Sequence, residues 1–193
     1  MSGERQLVAD RAELYVRSLL PEGYSKQQGA TLETVGDLVA EGVIGERRVQ
    51  LCGHQIPVSV DATRTAVGEH LVTRLAAFQE WARRNDCSLA PAMEIHKVDG
   101  SLADASYRAL RLPSVLLAEY RDGDLSCVTP HHDGETVRCV EDRLDELASG
   151  EPATFEPVGH TPSVTPAVTI DTAPEGTETG DADTGEPAPL QRR

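Results

Sequence analysis

Apolar and polar residues alternate through residues 12–19 (AELYVRSL), a stretch rich in the side chains that pack on a pleated surface, so the pattern opens with a strand. PEGY at 21–24 turns the chain. Ser25 and Gln28 have capping-box spacing, and Leu32, Val35, Leu38 and Val39 then share one helical face, with Gly42 placed to stop the helix. RRVQLC at 47–52 reads as a second strand, and strand, helix, strand in that order implies a right-handed parallel crossover. The longest helical period spans 64–85: Val67, Leu71, Leu75, Phe78 and Ala82 recur at spacings of three and four, bordered by Trp81.

Residues 88–98 (SLAPAMEIHKV) look extended, with Leu89, Met93 and Ile95 in alternation and Pro91 favouring an edge position. The clearest hairpin is 113–130, where two β-rich runs flank RDGD and Asp122-Gly123 suits a type I′ turn. The pattern closes with VEDRLDELAS at 140–149, a helix with Val140, Leu144 and Leu147 inward and Gly150 as its stop. The expected class is α+β: a βαβ unit, a long helix, an antiparallel hairpin and a closing helix around one mixed sheet.

Composition changes at residue 151. The remaining 43 residues are dense in Pro, Thr, Gly and acid, and such a segment cannot bury enough apolar area to offset its ordering entropy. The expected organisation is a flexible terminus at 1–11, one domain at 12–150, and a disordered acidic tail at 151–193. Residues 1–150 hold 24 acids and 16 bases, net −8, and the tail holds 8 acids and 2 bases, net −6. Lysine is confined to Lys26 and Lys97. An acid-rich, lysine-poor surface suits a salt-filled cytosol, where a short Debye length relieves self-repulsion. The first residues show no apolar signal-peptide region and no run is long enough to span a bilayer, so a cytoplasmic protein with no membrane partner is expected. The four cysteines then read as reduced, buried thiols.

The order of elements resembles the thioredoxin-like fold, with Pro113 in the place of that family's proline, which is usually cis. The Cys-x-x-Cys motif is missing, since Pro21, Glu22, Gly23 and Tyr24 stand where it would fall. That resemblance implies a scaffold without its exchange chemistry. ELYVRSLLPEG, FQEWARRNDCSLAP, LPSVLLAEYRDGDL and VEDRLDEL resemble a family of small proteins of halophilic archaea described as helix-turn-helix domain proteins, over roughly residues 12–150. The second resemblance implies a transcription-associated DNA-binding protein and supplies no contact residues.

Candidate phosphate contacts are Arg47, Arg48, Arg74, Arg83 and Arg84, all interleaved with acids that would pair with them on the surface. Within LSCVTPHHDGETVRC (125–139), Cys127, His131, His132 and Cys139 form a candidate metal set, but the paired knuckle spacing of zinc sites is absent. The simpler expectation there is a strand, a polar turn and a helix start. No nucleophile elbow, Walker or Rossmann fingerprint occurs. These readings converge on a non-catalytic cytoplasmic binding protein without a cofactor, with DNA or another protein as partner. The alternative is a degenerate thioredoxin-like thiol or metal-binding protein.

Overall fold

Every residue from Ala12 to Val16 is buried, so this strand must be covered on both faces and paired on both edges. The computed structural model describes residues 7–18, 26–58, 66–98 and 107–159. Within them the chain runs β1 (Ala9–Val16), α1 (Lys26–Ala40), β2 (Ile44–Leu51), β3 (Gln55–Pro57), α2 (Ala66–Arg84), β4 (Glu94–Val98), β5 (Tyr107–Arg111), β6 (Val115–Arg121), β7 (Asp124–Thr129), β8 (His131–His132), β9 (Val137–Arg138) and α3 (Val140–Ala148). β1 is parallel to β2 and antiparallel to β6, which pairs with β7, giving the order β2-β1-β6-β7. The fold is α+β on a mixed sheet.

Helices cover both faces of that sheet. Leu71, Leu75, Phe78 and Trp81 of α2 pack against Tyr15, Leu116, Ala118 and Tyr120. Val35 and Leu38 of α1, with Leu144 and Leu147 of α3, meet Ala12, Leu14, Val16, Val115 and Leu117 on the opposite face. Each such side chain contributes about 1.5–3 kcal/mol by leaving water, before the cost of ordering it. The Val67 side chain, Ser25 of the capping box and the turn at 21–24 lie outside the described residues. Gln28 is buried and donates to the Ser18 carbonyl.

Both predicted helix stops have the same geometry. At the end of α1 the Gly42 amide bonds the Val39 carbonyl and the Val43 amide bonds that of Leu38, each at 3.0 Å. After α3 the Gly150 and Glu151 amides bond Leu147 and Glu146 in the same way, both at 2.9 Å. The glycines sit at φ 75° and 81°, which a side chain would strain. The β6–β7 hairpin turns through Asp122 and Gly123 at φ 54° and 84°, as a type I′ turn requires.

Two further ladders accompany the main sheet, a three-stranded antiparallel one in the order β3-β5-β4 and the short β8-β9 pair. Of the stretch 88–98 only Glu94–Val98 is strand; it lies at an edge, with Pro91 in the turn before it. Pro113 precedes β6, but among the described residues the cis peptides are Ala90-Pro91 and Thr129-Pro130.

The ordered chain extends past both expected boundaries. β1 begins at Ala9, and Val8 is already buried, so residues 8–11 belong to the core. At the other end residues 151–159 pack on the body: Val158 bridges to Leu125, and Phe155 lies against Trp81. Composition concealed this docking because it relies on main-chain bonds and a single ring. Residues 160–193 lie outside the described residues.

Each face of the sheet buries one carboxylate. Glu13 on β1 points toward α2, and Glu119, which pairs with Ala12 on the neighbouring strand, points toward α3. Arg143 of α3 grips Glu119 with two bonds of 2.7 and 2.9 Å and donates to Glu146 at 2.8 Å. A buried carboxylate stripped of its partner is far costlier than no pair at all. Arg143→Ala is therefore expected to lower stability by about 3–5 kcal/mol in chemical denaturation, whereas Arg143→Met combined with Glu119→Leu loses much less.

Candidate functional site

Four of the five arginines nominated from sequence are exposed or half-buried, but each is held by a partner. Arg47 donates to the Leu32 carbonyl at 2.9 Å, and Arg48 meets Glu46 at 3.0 Å. Arg83 and Arg84 share Glu80 at 2.7 and 3.1 Å, and these hydrogen bonds hold the Glu80 carboxyl below its ordinary range. Arg47 and Arg48 are consecutive on a strand and so face opposite sides of the sheet, while Arg83 and Arg84 stand at the end of α2.

Arg74 is no phosphate ligand. It is 2% exposed and turned inward, 3.5 Å from Glu13 and 3.3 Å from the Tyr120 hydroxyl. Tyr15 and Tyr120 donate to the same Glu13 carboxylate at 2.7 and 3.1 Å, and Arg11 approaches it at 3.1 Å while lying 4.1 Å over the Tyr120 ring. Burial, and then the charge of Glu13, raise both phenols above their usual pKa. The cluster is an internal counterion network in which the buried Nε atoms of Arg11 and Arg74 are left without a hydrogen-bond partner among the described residues.

The metal set does not assemble. Among the described residues no three His, Cys, Asp or Glu side chains converge on a cation position. Cys127 is buried beside Thr129, with Sγ 3.6 Å from its hydroxyl, and burial pushes its thiol up. His131 is buried, with Nδ1 2.7 Å from the Val128 carbonyl. His132 accepts from the Gly134 amide at 3.0 Å, and the Cys139 thiol donates to Asp142 at 2.9 Å. Each candidate ligand is occupied in its own local bond, and the stretch is a strand, a polar turn and a helix start. Asp133 organises that turn by accepting from the Glu135 and Thr136 amides, which lower its carboxyl to about 2.

No thiol is poised for attack, because thiolate is the nucleophile. Burial raises Cys52 to about 12, and burial also comes first in raising Cys87 and Cys139.

The exposed arginines that remain are ones the sequence reading passed over, Arg121 at the end of β6 among them. Arg108 and Arg111 on β5 are exposed and, among the described residues, neither has a hydrogen-bond or carboxylate partner. Arg108 pairs in register with Lys97, and Arg111 with Glu94. On the face of Arg111, Gln55 bridges His96 at 3.1 Å and the Tyr107 hydroxyl at 3.3 Å, so three strands contribute to one polar surface, while Arg108, three residues from Arg111, stands on the opposite face with Lys97. Five residues are too few to show a burial period by eye, but the inward Ala109-Leu110 pair within YRALR was the available signal.

A sequence profile describing a helix-turn-helix domain matches residues 5–152. The chain belongs to that helix-turn-helix domain family. No curated protein and no solved structure matches it. Among the described residues each helix of this family member is separated from the next by strands, so α1, α2 and α3 do not form two successive helices.

Two imidazoles give the member a defined acid response. Burial pulls His131 below its ordinary pKa, against the opposing pull of the Val128 carbonyl, and burial followed by the Arg74 charge lowers His70. The unfolded chain takes up protons near pH 6.5 that these folded groups refuse, so their contribution to stability is flat above about 6.5 and declines as pH falls below it. Urea midpoints between about pH 7.5 and 5 should show this decline, reduced in His131→Gln. Cys52 and Cys127 should resist iodoacetamide at about pH 8 in the native protein and react after denaturation.

Proposed function

We propose that this chain is a non-catalytic cytoplasmic DNA-binding regulator of a halophilic archaeon, and that it meets phosphate through β5 rather than through a helix. Membership of the helix-turn-helix domain family carries the reading. The charge layout supports the choice of surface. Glu33 and Asp37 are exposed on α1, Glu69 on α2, and Asp142 and Asp145 on α3, so each described helix offers carboxylates to an approaching phosphate. Arg108 and Arg111 are uncommitted, one on each face of β5, and a strand pair or small sheet can enter the major groove as a helix can. A net charge of −14 with two lysines supports the saline habitat, since ions replace the missing internal neutralisation. The raised thiols weigh against a thiol-exchange role.

Genomic duplex fragments retained by the full chain in concentrated KCl are the test. Retention is expected, with Arg108→Ala/Arg111→Ala lowering affinity about tenfold or more and the salt slope by roughly two. Arg83→Ala/Arg84→Ala should change little, because both guanidiniums are already bonded to the Glu80 carboxylate. Absence of any retained duplex defeats the DNA reading, and equal loss in both variants defeats the choice of β5.

A further inference from the structure

The stretch after α3 lies in a groove whose walls stand without it. The family match ends at residue 152, whereas Trp81, Asn85, Leu125 and His131, which line the groove, all fall inside it. Those walls are tied together independently. Ser88 and His132 exchange two backbone bonds of 2.8 Å, fastening the end of α2 to β8, and Trp81 Nε1 donates to the Ser126 carbonyl at 3.2 Å. Such ties join the walls to one another independently of the segment, beside the free edge of β7.

Three contacts seat the segment there. The Asn85 side chain donates to the Glu156 carbonyl at 3.0 Å and accepts its amide at 2.7 Å, clamping the main chain from both sides. Val158 and Leu125 exchange two backbone bonds of 2.9 and 3.0 Å at the free edge of β7. The Phe155 ring stands edge-on to Trp81 at 5.0 Å and to His131 at 5.1 Å. Main-chain clamps tolerate most sequences, so selectivity rests on the aromatic position and on Val158, which is 8% exposed. This combination of edge pairing and side-chain pockets is how folded domains take extended peptides.

We propose that the groove is a binding site for an extended peptide carrying an aromatic residue and, three residues later, a β-branched one, and that residues 153–158 fill it as a tethered ligand. The inference does not depend on the DNA reading. Two residues separate Gly150 from Ala153, so the tether supplies a high effective concentration and a competing peptide must be abundant or better fitted. Displacement would uncover the β7 edge and the Trp81–His131 floor together.

The test uses the full-length Phe155→Ala chain and two synthetic peptides, PATFEPVG (152–159) and the same peptide with alanine for phenylalanine. NMR follows the indole of Trp81, the single tryptophan, and the Asn85 side-chain amide. The first peptide is expected to shift both signals with millimolar or tighter affinity, at least about tenfold more tightly than it binds the wild-type chain, while the second peptide does nothing. No shift in the folded variant at about 5 mM peptide, or equal binding by wild type, overturns the proposal. So does a concentration-dependent dimer of the variant that excludes the peptide, which would assign the groove to a second copy.

Hydrogen exchange on the intact wild type provides a check that needs no variant to fold. Detachment predicts that the Glu156 and Val158 amides exchange at least about a hundredfold faster than those of β1. Exchange of these amides only at the global unfolding rate makes the segment an integral part of the core and overturns the proposal.

Discussion

Glu13 and Glu119 sit on neighbouring strands, one residue apart in register, and point to opposite faces of the same sheet. A carboxylate cannot be left in an apolar layer, so each face must receive a guanidinium from the helix that covers it. Arg74 comes from α2 and Arg143 from α3. This requirement fixes more than two ion pairs. A one-residue slip of β1 against β6 would exchange the two helix-covered faces on the slipped strand and separate its carboxylate from its arginine, so register and helix placement specify each other. The two sites differ in kind: Arg143 holds Glu119 through a two-bond fork, whereas Glu13 draws on two phenols and two arginines at longer range. The first is a rigid clasp and the second a shared network, and networks of this kind are not apportioned pairwise.

That constraint also shows how far the sequence could be read. Long periods were legible: the α2 stripe, the β6–β7 hairpin with its Asp-Gly turn, and two glycine stops whose hydrogen bonds follow the expected pattern. Direction within a period was harder. Arg74 follows Leu71 by three and precedes Phe78 by four, which places it on the apolar stripe, yet an arginine there is as readily imagined reaching out to solvent as turning inward. Only the mid-strand glutamates of AELYV and LLAEYR, lodged in runs too apolar to be surface, signalled that counterions were needed inside. β3, at three residues, is too short to show any period. Phe155 and Val158 were hidden by the prolines, threonines and acids around them, because the docking depends on main-chain groups that every sequence possesses.

The four-residue metal reading failed for a related reason. Closeness along the chain does not place side chains together in a strand and a turn: Cys127 and Thr129 share a face, His131 turns back to a carbonyl three residues behind, and Cys139 bonds a carboxylate three residues ahead. Each group bonds within its own neighbourhood rather than at a shared centre, and the second ring nitrogen of His131 has no partner among the described residues. Local hydrogen bonding of this kind is the usual fate of polar side chains in a folded domain.

The same economy of charge bears on how such a protein could meet DNA. Arginine here is largely an internal or pairing residue, bound to Glu13, Glu46, Glu80, Glu119 and Glu146, while exposed carboxylates dress the helices. A helix so dressed is repelled by a phosphate backbone at low salt and merely indifferent to it at high salt, since screening removes repulsion and attraction alike. Under strong screening, affinity has to come from shape and direct hydrogen bonds rather than from counterion release. A small antiparallel sheet with the Arg111 guanidinium beside a Gln-His-Tyr hydrogen-bonded row, and Arg108 on its other face, offers directed donors, and those survive screening better than a diffuse field. The family name speaks of helices, but among the described residues of this member the arginines without a hydrogen-bond or carboxylate partner lie on strands.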